Sequence, residues 1–344
     1  MSAPHTHPHI DADPSDDEGG ALSMGARAFA SIKSSVPLAV MVGVLVILFV
    51  AALLRSGSMA ITWQAIVTGL VTGGVYSLLA MGLTMIFGVL DIVNFAHGAF
   101  LTVGLFVTYQ FVEWTGLNPY IALPIAIAAL FIIGALVQSL LLHRTMGALE
   151  SQLLITLGLS LLIANVLLMI FRGDPLSVNL GSDPGIGIFG AVVSRSHIVA
   201  FVGALVLAGL LYLLLNRTSY GRAIRAVAAS PQGAGLVGIN VRSVYAVTFG
   251  LGAACAGAAG MLIAPFTTIS PTAGEQFNIL AFVVVVMGGL GNVMGALIGG
   301  LIVGLVEQLG GVAIVGQSPL LGVFILFLLI LLIRPQGLFG GSDK

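Results

Sequence analysis

Residues 152–171 read QLLITLGLSLLIANVLLMIF and contain no charged side chain. An apolar helix of about 20 residues is long enough to cross the hydrocarbon core of a lipid bilayer. Lipid cannot hydrogen-bond to backbone N–H and C=O groups, so a segment of this kind must satisfy them internally as a helix. The alternation of apolar and polar residues that is typical of a membrane β-barrel is absent. The stretch therefore predicts a transmembrane helix.

The rest of the chain repeats this pattern. Nine further apolar runs lie at about 37–54, 63–90, 94–112, 120–142, 196–215, 243–264, 277–290, 293–309 and 318–333. Together they predict an all-α, polytopic transmembrane helix bundle with about ten crossings. The 63–90 run is long and contains Gly73-Gly74, and the 277–290 run is short and ends in Gly288-Gly289. At these two glycine pairs we expect broken or re-entrant helices.

Composition agrees with a membrane protein. Of the 344 residues, 58% are apolar and only 7% are charged, whereas a soluble domain has about 25% charged residues. Glycine is abundant, with 46 residues, which suits close helix packing in a bilayer. The single cysteine, Cys255, excludes a disulfide within the chain and a metal cluster built from thiols. We predict no cofactor and no metal site.

The N-terminal residues differ from the rest. Residues 1–20, MSAPHTHPHIDADPSDDEGG, are polar, acidic and without an apolar period. This composition is typical of disorder, so we predict a disordered cytoplasmic tail over 1–35 and a transmembrane domain over 36–340. Short His-rich tails usually bind nothing specific, and we assign no site to this one. The tail lacks the basic start of a signal peptide.

The distribution of Lys and Arg predicts the orientation. With ten crossings and a cytoplasmic N-terminus, nine of the twelve basic residues lie inside, and only Arg55, Arg172 and Arg195 lie outside. This bias obeys the positive-inside rule, so both termini are expected in the cytoplasm. The stretches 172–195 and 265–276 would then be external loops. Either would suit contact with an external partner, and either would serve equally well as a plain connector.

The most informative polar segment is residues 217–243, RTSYGRAIRAVAASPQGAGLVGINVRS, here called the basic loop. It holds four of the twelve basic residues. Arg222 and Arg225 are three residues apart and lie on one helical face. The pair Ser230-Pro231 is typical of a helix start, so the pattern predicts a short helix over about 231–237 that stops at Gly238. An exposed short helix of this kind suits the docking of a soluble partner.

Three sequence blocks together resemble a known family. They are Gly82-Leu83-Thr84-Met85-Ile86-Phe87-Gly88 with Asn94-Phe95-Ala96-His97-Gly98; Tyr220-Gly221-Arg222-Ala223-Ile224-Arg225-Ala226 with Gly238-Ile239-Asn240; and Met287-Gly288-Gly289-Leu290-Gly291-Asn292 with Gly295 and Gly299. In order and spacing, over about 63–340, they resemble the permeases of bacterial branched-chain amino-acid ABC importers. The H-type subunit is the most similar, and urea or short-amide permeases are close cousins. The tail and the 37–54 helix look like additions to the shorter family core.

The resemblance implies a division of labour. It implies three kinds of partner: a second permease subunit, expected to be a paralogue; two cytoplasmic ATP-binding subunits; and an external substrate-binding protein. It also implies a location in the bacterial inner membrane. No nucleic-acid partner is implied. It assigns ATPase coupling to the basic loop, at Tyr220, Gly221, Arg222, Arg225, Pro231, Gly238, Ile239 and Asn240. The only lysines, Lys33 and Lys344, do not follow a glycine-rich loop, so the chain has no P-loop. We therefore expect a pore subunit and not an enzyme.

The predicted translocation path follows from helix breaks, because half-helix ends in transporters often face the substrate. It comprises Asn94, His97, Gly98, Gly288, Gly289, Gly291 and Asn292. For His97 the commoner outcome is a ring bonded to a neighbouring backbone group. The glycines at four-residue spacing after position 291 predict a tightly packed helix face. Blocks 88–98 and 289–299 resemble each other and suggest an internal repeat.

Other functions are less well supported by the residues. An ion-coupled carrier needs membrane-embedded ionisable groups, and only Asp91 and His97 qualify as candidates. Glu307 has no visible partner in the sequence and is expected at the membrane interface. A metalloprotease motif H-E-x-x-H does not occur. Because so few buried charges are available to bind an amino acid's charged ends, we predict a weakly binding conduit, with selectivity in the external binding protein.

Overall fold

The computed structural model describes residues 39–178, 185–188, 190–314 and 319–340; the predicted tail, 1–35, lies outside them. Twelve α-helices occur within these ranges. They are α1 Ala39–Ser56, α2 Met59–Leu90, α3 His97–Thr115, α4 Leu123–Leu140, α5 Leu149–Phe171, α6 Arg195–Arg217, α7 Ser219–Ala229, α8 Pro231–Leu236, α9 Val241–Ile263, α10 Ala273–Gly288, α11 Val293–Ala313 and α12 Pro319–Ile333. A short antiparallel hairpin joins β1 Gly185–Ile188 to β2 Ala191–Ser194.

The predicted class, an all-α polytopic membrane protein, is confirmed. Each of the ten apolar runs coincides with a helix, and seven helices of the described chain are long and apolar enough to cross a membrane. The two helices α10 and α12 are shorter, with 16 and 15 residues. The total of ten crossings stays a prediction.

The expected break at Gly73-Gly74 is wrong, because α2 is one continuous helix of 32 residues. The glycines serve close helix packing instead. A Cβ atom at Gly73 would lie 2.9 Å from the carbonyl oxygen of Gly300 in α11, and one at Gly74 would meet the ring of Phe201 in α6. Glycine is needed here because it lets the backbones approach, as small residues do in membrane helix pairs.

The break after α10 is confirmed. Helix α10 ends at Gly288, and Gly289 and Gly291 have φ angles of 103° and 81°. Such positive values favour glycine, which has no Cβ atom to clash. Asn292 then caps α11, because its Oδ1 accepts a hydrogen bond of 2.9 Å from the N–H of Gly295. A four-residue turn thus separates two helices that pack on each other.

The core forms around α2 and α9, most of whose residues are buried. In α1 and α5, by contrast, only 11% of the residues in the most apolar stretch of the helix are buried inside the protein. The predicted packing of the small-residue face of α11 is confirmed: Gly299 lies against Val284 of α10, and Gly304 lies against Gly69 of α2. Ser77 of α2 donates a 2.6 Å hydrogen bond to the carbonyl oxygen of Leu297, which ties these two helices together.

The expectation for Glu307 is wrong. Its side chain is only 7% exposed, inside the interface of α2 and α11, and it interacts with the side chain of Tyr76. One carboxyl oxygen, Oε2, has no hydrogen-bond partner among the described residues. The sequence gives no sign of this pair because Tyr76 and Glu307 are more than 200 positions apart in the chain.

The two predicted external loops meet at one end of the bundle. Leu176 and Ile269 form a backbone bridge, with N–H to O distances of 2.9 and 2.8 Å. The hairpin is held to the same end of α2 by Gln64, whose side-chain amide both donates to and accepts from the backbone of Val192 at 2.8 Å. The other end of α2 faces the basic loop.

Candidate translocation groove and coupling site

The first predicted path residues, Asn94 and His97, are buried; Asn94 lies in the segment that follows α2, and His97 packs against α2 near Leu79 and Gly82. Asn94 Oδ1 accepts a 3.0 Å hydrogen bond from the N–H of Ala96. The His97 Nε2 atom lies 2.9 Å from the carbonyl oxygen of Leu79. Both side chains are fully buried. The His97 ring is bonded to a neighbouring backbone group, which is the commoner arrangement for a buried histidine. Their role in translocation stays a prediction.

Gly98 forms a close contact between α3 and α10. Its backbone packs directly on Gly274, and its N–H donates a 3.1 Å hydrogen bond to Asn278 Oδ1. The Nδ2 of Asn278 donates a second bond of 3.2 Å to the carbonyl oxygen of Phe95. Asn278 thus spans the gap between the break before α3 and the middle of α10. Asn278 is not among the predicted path residues, although a polar side chain inside an apolar helix was the signal that could have identified it.

The remaining predicted path residues hold the end of α10. Gly288 packs on the backbone of Gly295, and a Cβ atom at Gly289 would lie 2.6 Å from the backbone nitrogen of Gly340. The N–H of Gly291 donates to Thr84 Oγ1 at 3.1 Å. Asn292 Nδ2 donates to the carbonyl oxygen of Phe339 at 2.9 Å. These contacts connect the α10–α11 turn to α2 and to the C-terminal segment.

An elongated cavity of about 810 Å³ runs along one face of α10, and we call it the α10 groove. From α10 it takes eight residues, most of them at helical spacing: Gly274, Glu275, Asn278, Ile279, Phe282, Val283, Val285 and Val286. From Gly274 to Val286 there are twelve residue steps, which correspond to about 18 Å along the helix axis. Helices α2, α3, α5 and α12 and the segment between α2 and α3 contribute the other walls.

The chemistry of the α10 groove is mainly aromatic and aliphatic. Its rings belong to Phe87, Phe95, Phe282, Phe324 and Phe327. Polar side chains are few and scattered: Thr102, Ser160, Glu275 and Asn278. Among the described residues, no Lys or Arg lines it. The groove can therefore accommodate an apolar side chain but offers little to hold two opposite charges tightly.

The basic loop folds as the sequence predicts. Helix α7 starts after Thr218, whose Oγ1 accepts a hydrogen bond of 3.1 Å from the N–H of Gly221. Helix α8 starts at Pro231 after Ser230, whose hydroxyl accepts from the N–H of Gly233 at 3.0 Å. The chain leaves α8 through Gly238, which has a φ angle of 85°. Such capping bonds satisfy backbone N–H groups that a helix start leaves free.

Two features of the basic loop suit a partner protein. Arg225 is fixed on the bundle, because its guanidinium Nη1 donates to the carbonyl oxygen of Leu215 at the end of α6. At the tip of α8, Leu236 and Val237 are 90% and 76% exposed. Between α8 and α9, Ile239 donates its N–H to the carbonyl oxygen of Ala234, and Asn240 caps α9. The loop thus presents an apolar tip on a rigid, hydrogen-bonded base.

Comparison with known proteins identifies the family. The model of the family described as "Branched-chain amino acid transport system / permease component" matches residues 65–333. The chain belongs to this permease family. It is 30% identical over 296 residues to the high-affinity branched-chain amino acid transport system permease protein BraD of Pseudomonas aeruginosa, covering 81% of this chain and 96% of BraD. No solved structure matches.

The permease is also similar to an amino-acid permease and, over a shorter stretch, to a sugar permease. The high-affinity branched-chain amino acid transport system permease protein LivH of Escherichia coli strain K12 is 30% identical over 301 residues, covering 81% of this chain and 96% of LivH. The fructose import permease protein FrcC of Rhizobium meliloti is 38% identical over 133 residues, which is 36% of each chain. The permease is a multi-pass membrane subunit of an ABC transporter and not its catalytic component. Family membership implies ATPase and binding-protein partners.

Proposed function

We propose that this permease forms half of the translocation unit of an ABC importer that moves branched-chain, aliphatic amino acids across the inner membrane. The observation that carries the proposal is the α10 groove, a mainly apolar cavity along α10. The amide of Asn278 in its wall is bonded to the break before α3. Such breaks between helices are typical of transporter pathways.

The lining of the α10 groove favours an aliphatic amino acid over a sugar. A sugar presents hydroxyl groups that each need a hydrogen-bond partner when they leave water. The groove supplies rings and aliphatic chains, with Thr102, Ser160 and Asn278 as its few neutral polar groups. An aliphatic side chain suits these walls, and the few polar groups limit the affinity for its charged ends. Selectivity then resides in the external binding protein.

The open side of the α10 groove supports a second permease subunit. Helix α5, which forms one wall of the groove, packs little against the rest of this chain, since only 11% of the residues in its most apolar stretch are buried. A zwitterion crossing the membrane must be shielded from lipid, because charges in hydrocarbon are costly. We infer that a paralogous permease closes this side, and that Tyr220, Arg222 and the α8 tip face a cytoplasmic ATPase. Both termini then lie in the cytoplasm.

Reconstitution of the permease with its partners tests the proposal. Proteoliposomes that contain the permease pair, the ATPase and the binding protein should take up leucine, isoleucine and valine, with ATP hydrolysis stimulated by each. Fructose and urea should stimulate neither activity. Uptake that persists without the ATPase, driven by an ion gradient, would exclude the ABC mechanism. Stimulation by fructose but by none of the three amino acids would show that the substrate class is wrong.

Replacement of Asn278 with alanine should lower leucine uptake about tenfold, with a smaller loss of thermal stability. The change removes the bonds to Gly98 and Phe95 and leaves their buried backbone groups unpaired, at a cost of about 1–3 kcal/mol. Asn165 of α5 is the matched control, because its amide makes a single exposed bond within its own helix. Equal leucine uptake by the Asn278→Ala and Asn165→Ala permeases would show that Asn278 is not part of the translocation path.

A further inference from the structure

A second cavity, of about 800 Å³, lies between the basic loop and the end of α2, and we call it the basic-loop cavity. Its walls come from α6, α7 and α9, from the α10–α11 turn and from the C-terminal segment. The α10 groove lies on the other side of Phe87 and Leu290, which border both spaces. A ligand in this cavity would therefore touch the basic loop and the wall of the groove together.

Two opposite charges line the basic-loop cavity, Asp91 and Arg225, and the other lining residues within the described part of the chain are uncharged. Asp91 ends α2 in a left-handed conformation, with φ of 57°. Its carboxylate has no hydrogen bond or ion pair among the described residues. A negative charge at the C-terminal end of a helix is unfavourable, whereas a cation is stabilised there by roughly 0.3–1 kcal/mol. The position of Asp91 therefore favours a positively charged ligand group.

Arg225 provides the complementary charge. One guanidinium nitrogen is bonded to the Leu215 carbonyl oxygen, so the side chain is held in place while its other N–H groups have no partner among the described residues. An arginine held in this way can donate paired hydrogen bonds to a carboxylate or a phosphate. The apolar side chains of Met85, Leu90 and Met294 line the same cavity.

We propose that the basic-loop cavity binds a zwitterion that carries a primary ammonium and an acidic group on an aliphatic body. The ammonium pairs with Asp91, and the acidic group pairs with Arg225. A free aliphatic amino acid and an aminophospholipid such as phosphatidylethanolamine share this chemistry. A bound zwitterion would fasten α7 to the end of α2 and restrain the basic loop. Binding itself is independent of the proposed transport function; only the effect on coupling rests on it.

Simpler ligands fit the cavity less well. An inorganic anion could pair with Arg225, but the Asp91 carboxylate in the same cavity would repel it. A simple cation would neutralise Asp91 but would leave the free N–H groups of Arg225 and the apolar wall without a partner. Phosphatidylcholine carries a quaternary ammonium without N–H groups, so it cannot donate a hydrogen bond to Asp91. It is therefore a suitable inert lipid for the test.

Protection from trypsin measures occupation of the basic-loop cavity directly. The full-length permease is placed in phosphatidylcholine nanodiscs, alone, with leucine, or with phosphatidylethanolamine added to the bilayer. Cleavage after Arg225 is followed by mass spectrometry. At a ligand concentration ten times its Kd, cleavage should slow about tenfold, since only the unoccupied fraction is cut. Protection by leucine identifies a free amino acid, and protection by phosphatidylethanolamine alone identifies the lipid.

The Asp91→Asn variant separates this cavity from the α10 groove. Asparagine tolerates the left-handed backbone and removes only the charge, so the fold should persist and protection should be lost. Glu150→Gln is the matched control, because Glu150 is an exposed carboxylate in the first turn of α5 and does not line the cavity; this variant should keep protection. Unchanged cleavage with both ligands overturns the proposal, and so does equal protection of the Asp91→Asn variant. Neither result bears on uptake through the groove.

Discussion

Replacing Leu236 with aspartate is expected to abolish ATP-driven uptake while the permease stays folded. Leu236 is 90% exposed at the tip of α8 and lies away from the core, so its loss costs the fold little. In an apolar docking pocket, the leucine side chain would contribute about 1.5–3 kcal/mol. An unpaired carboxylate in that pocket adds a desolvation cost. A combined loss of about 4 kcal/mol weakens docking roughly a thousandfold.

Co-purification of the ATPase with the permease measures this effect, together with leucine uptake in proteoliposomes. The Leu236→Met variant is the control, because methionine keeps the apolar volume and should retain docking. The melting temperature of the Leu236→Asp permease in detergent should equal that of the unaltered protein. Normal ATPase recovery and uptake with Leu236→Asp would show that the α8 tip is not the docking surface.

Local chemistry explains which features could be predicted from the sequence. A helix in lipid must satisfy its own backbone, so the ten apolar runs predict helices wherever they occur. The short helix of the basic loop depends only on Ser230, Pro231 and Gly238, which are close in the chain and act through capping and backbone angles. The end of α10 at Gly288-Gly289 is also local, because Gly289 takes a positive φ angle.

Features that depend on distant partners could not be predicted. A glycine pair inside an apolar run fits both a broken helix and a close helix contact, and Gly73 was misread because its partner, Gly300, lies in α11. Glu307 was placed at the interface for the same reason, since Tyr76 becomes its neighbour only in the fold. The α10 groove forms from five separate helices, so no single segment of the sequence predicts it.

The two cavities suggest how the basic loop communicates with the groove. Phe87 at the end of α2 and Leu290 in the α10–α11 turn border both spaces. Gly291, beside Leu290, is bonded to Thr84 of α2. Helix α7 lines the same cavity, so a movement of α7 driven by an ATPase would change the shape of the basic-loop cavity, which shares these two residues with the groove. Coupling by such packed contacts needs two discrete arrangements of the helices, as in other switching proteins.

The close contact of α2 with α11 leads to the second large effect, a loss of stability of about 3 kcal/mol when Gly300 becomes alanine. The new Cβ atom would overlap the backbone of Ser77. The helices would have to separate, which would weaken the 2.6 Å bond from Ser77 to the Leu297 carbonyl oxygen. Overpacking of a tight interface costs about 1–3 kcal/mol, and a weakened bond within the bilayer adds to that cost.

Thermal unfolding in detergent, followed by the loss of the monodisperse peak in size-exclusion chromatography, measures this change. Gly209→Ala is the matched control, because no atom lies within 4 Å of a Cβ atom at that position of α6. That variant should melt at the original temperature or slightly above it, since alanine favours a helix over glycine by about 1 kcal/mol. If both variants melted alike, the helices would not be in glycine-mediated contact, and α2 and α11 would lack the rigid pairing that lets the basic loop act on the groove.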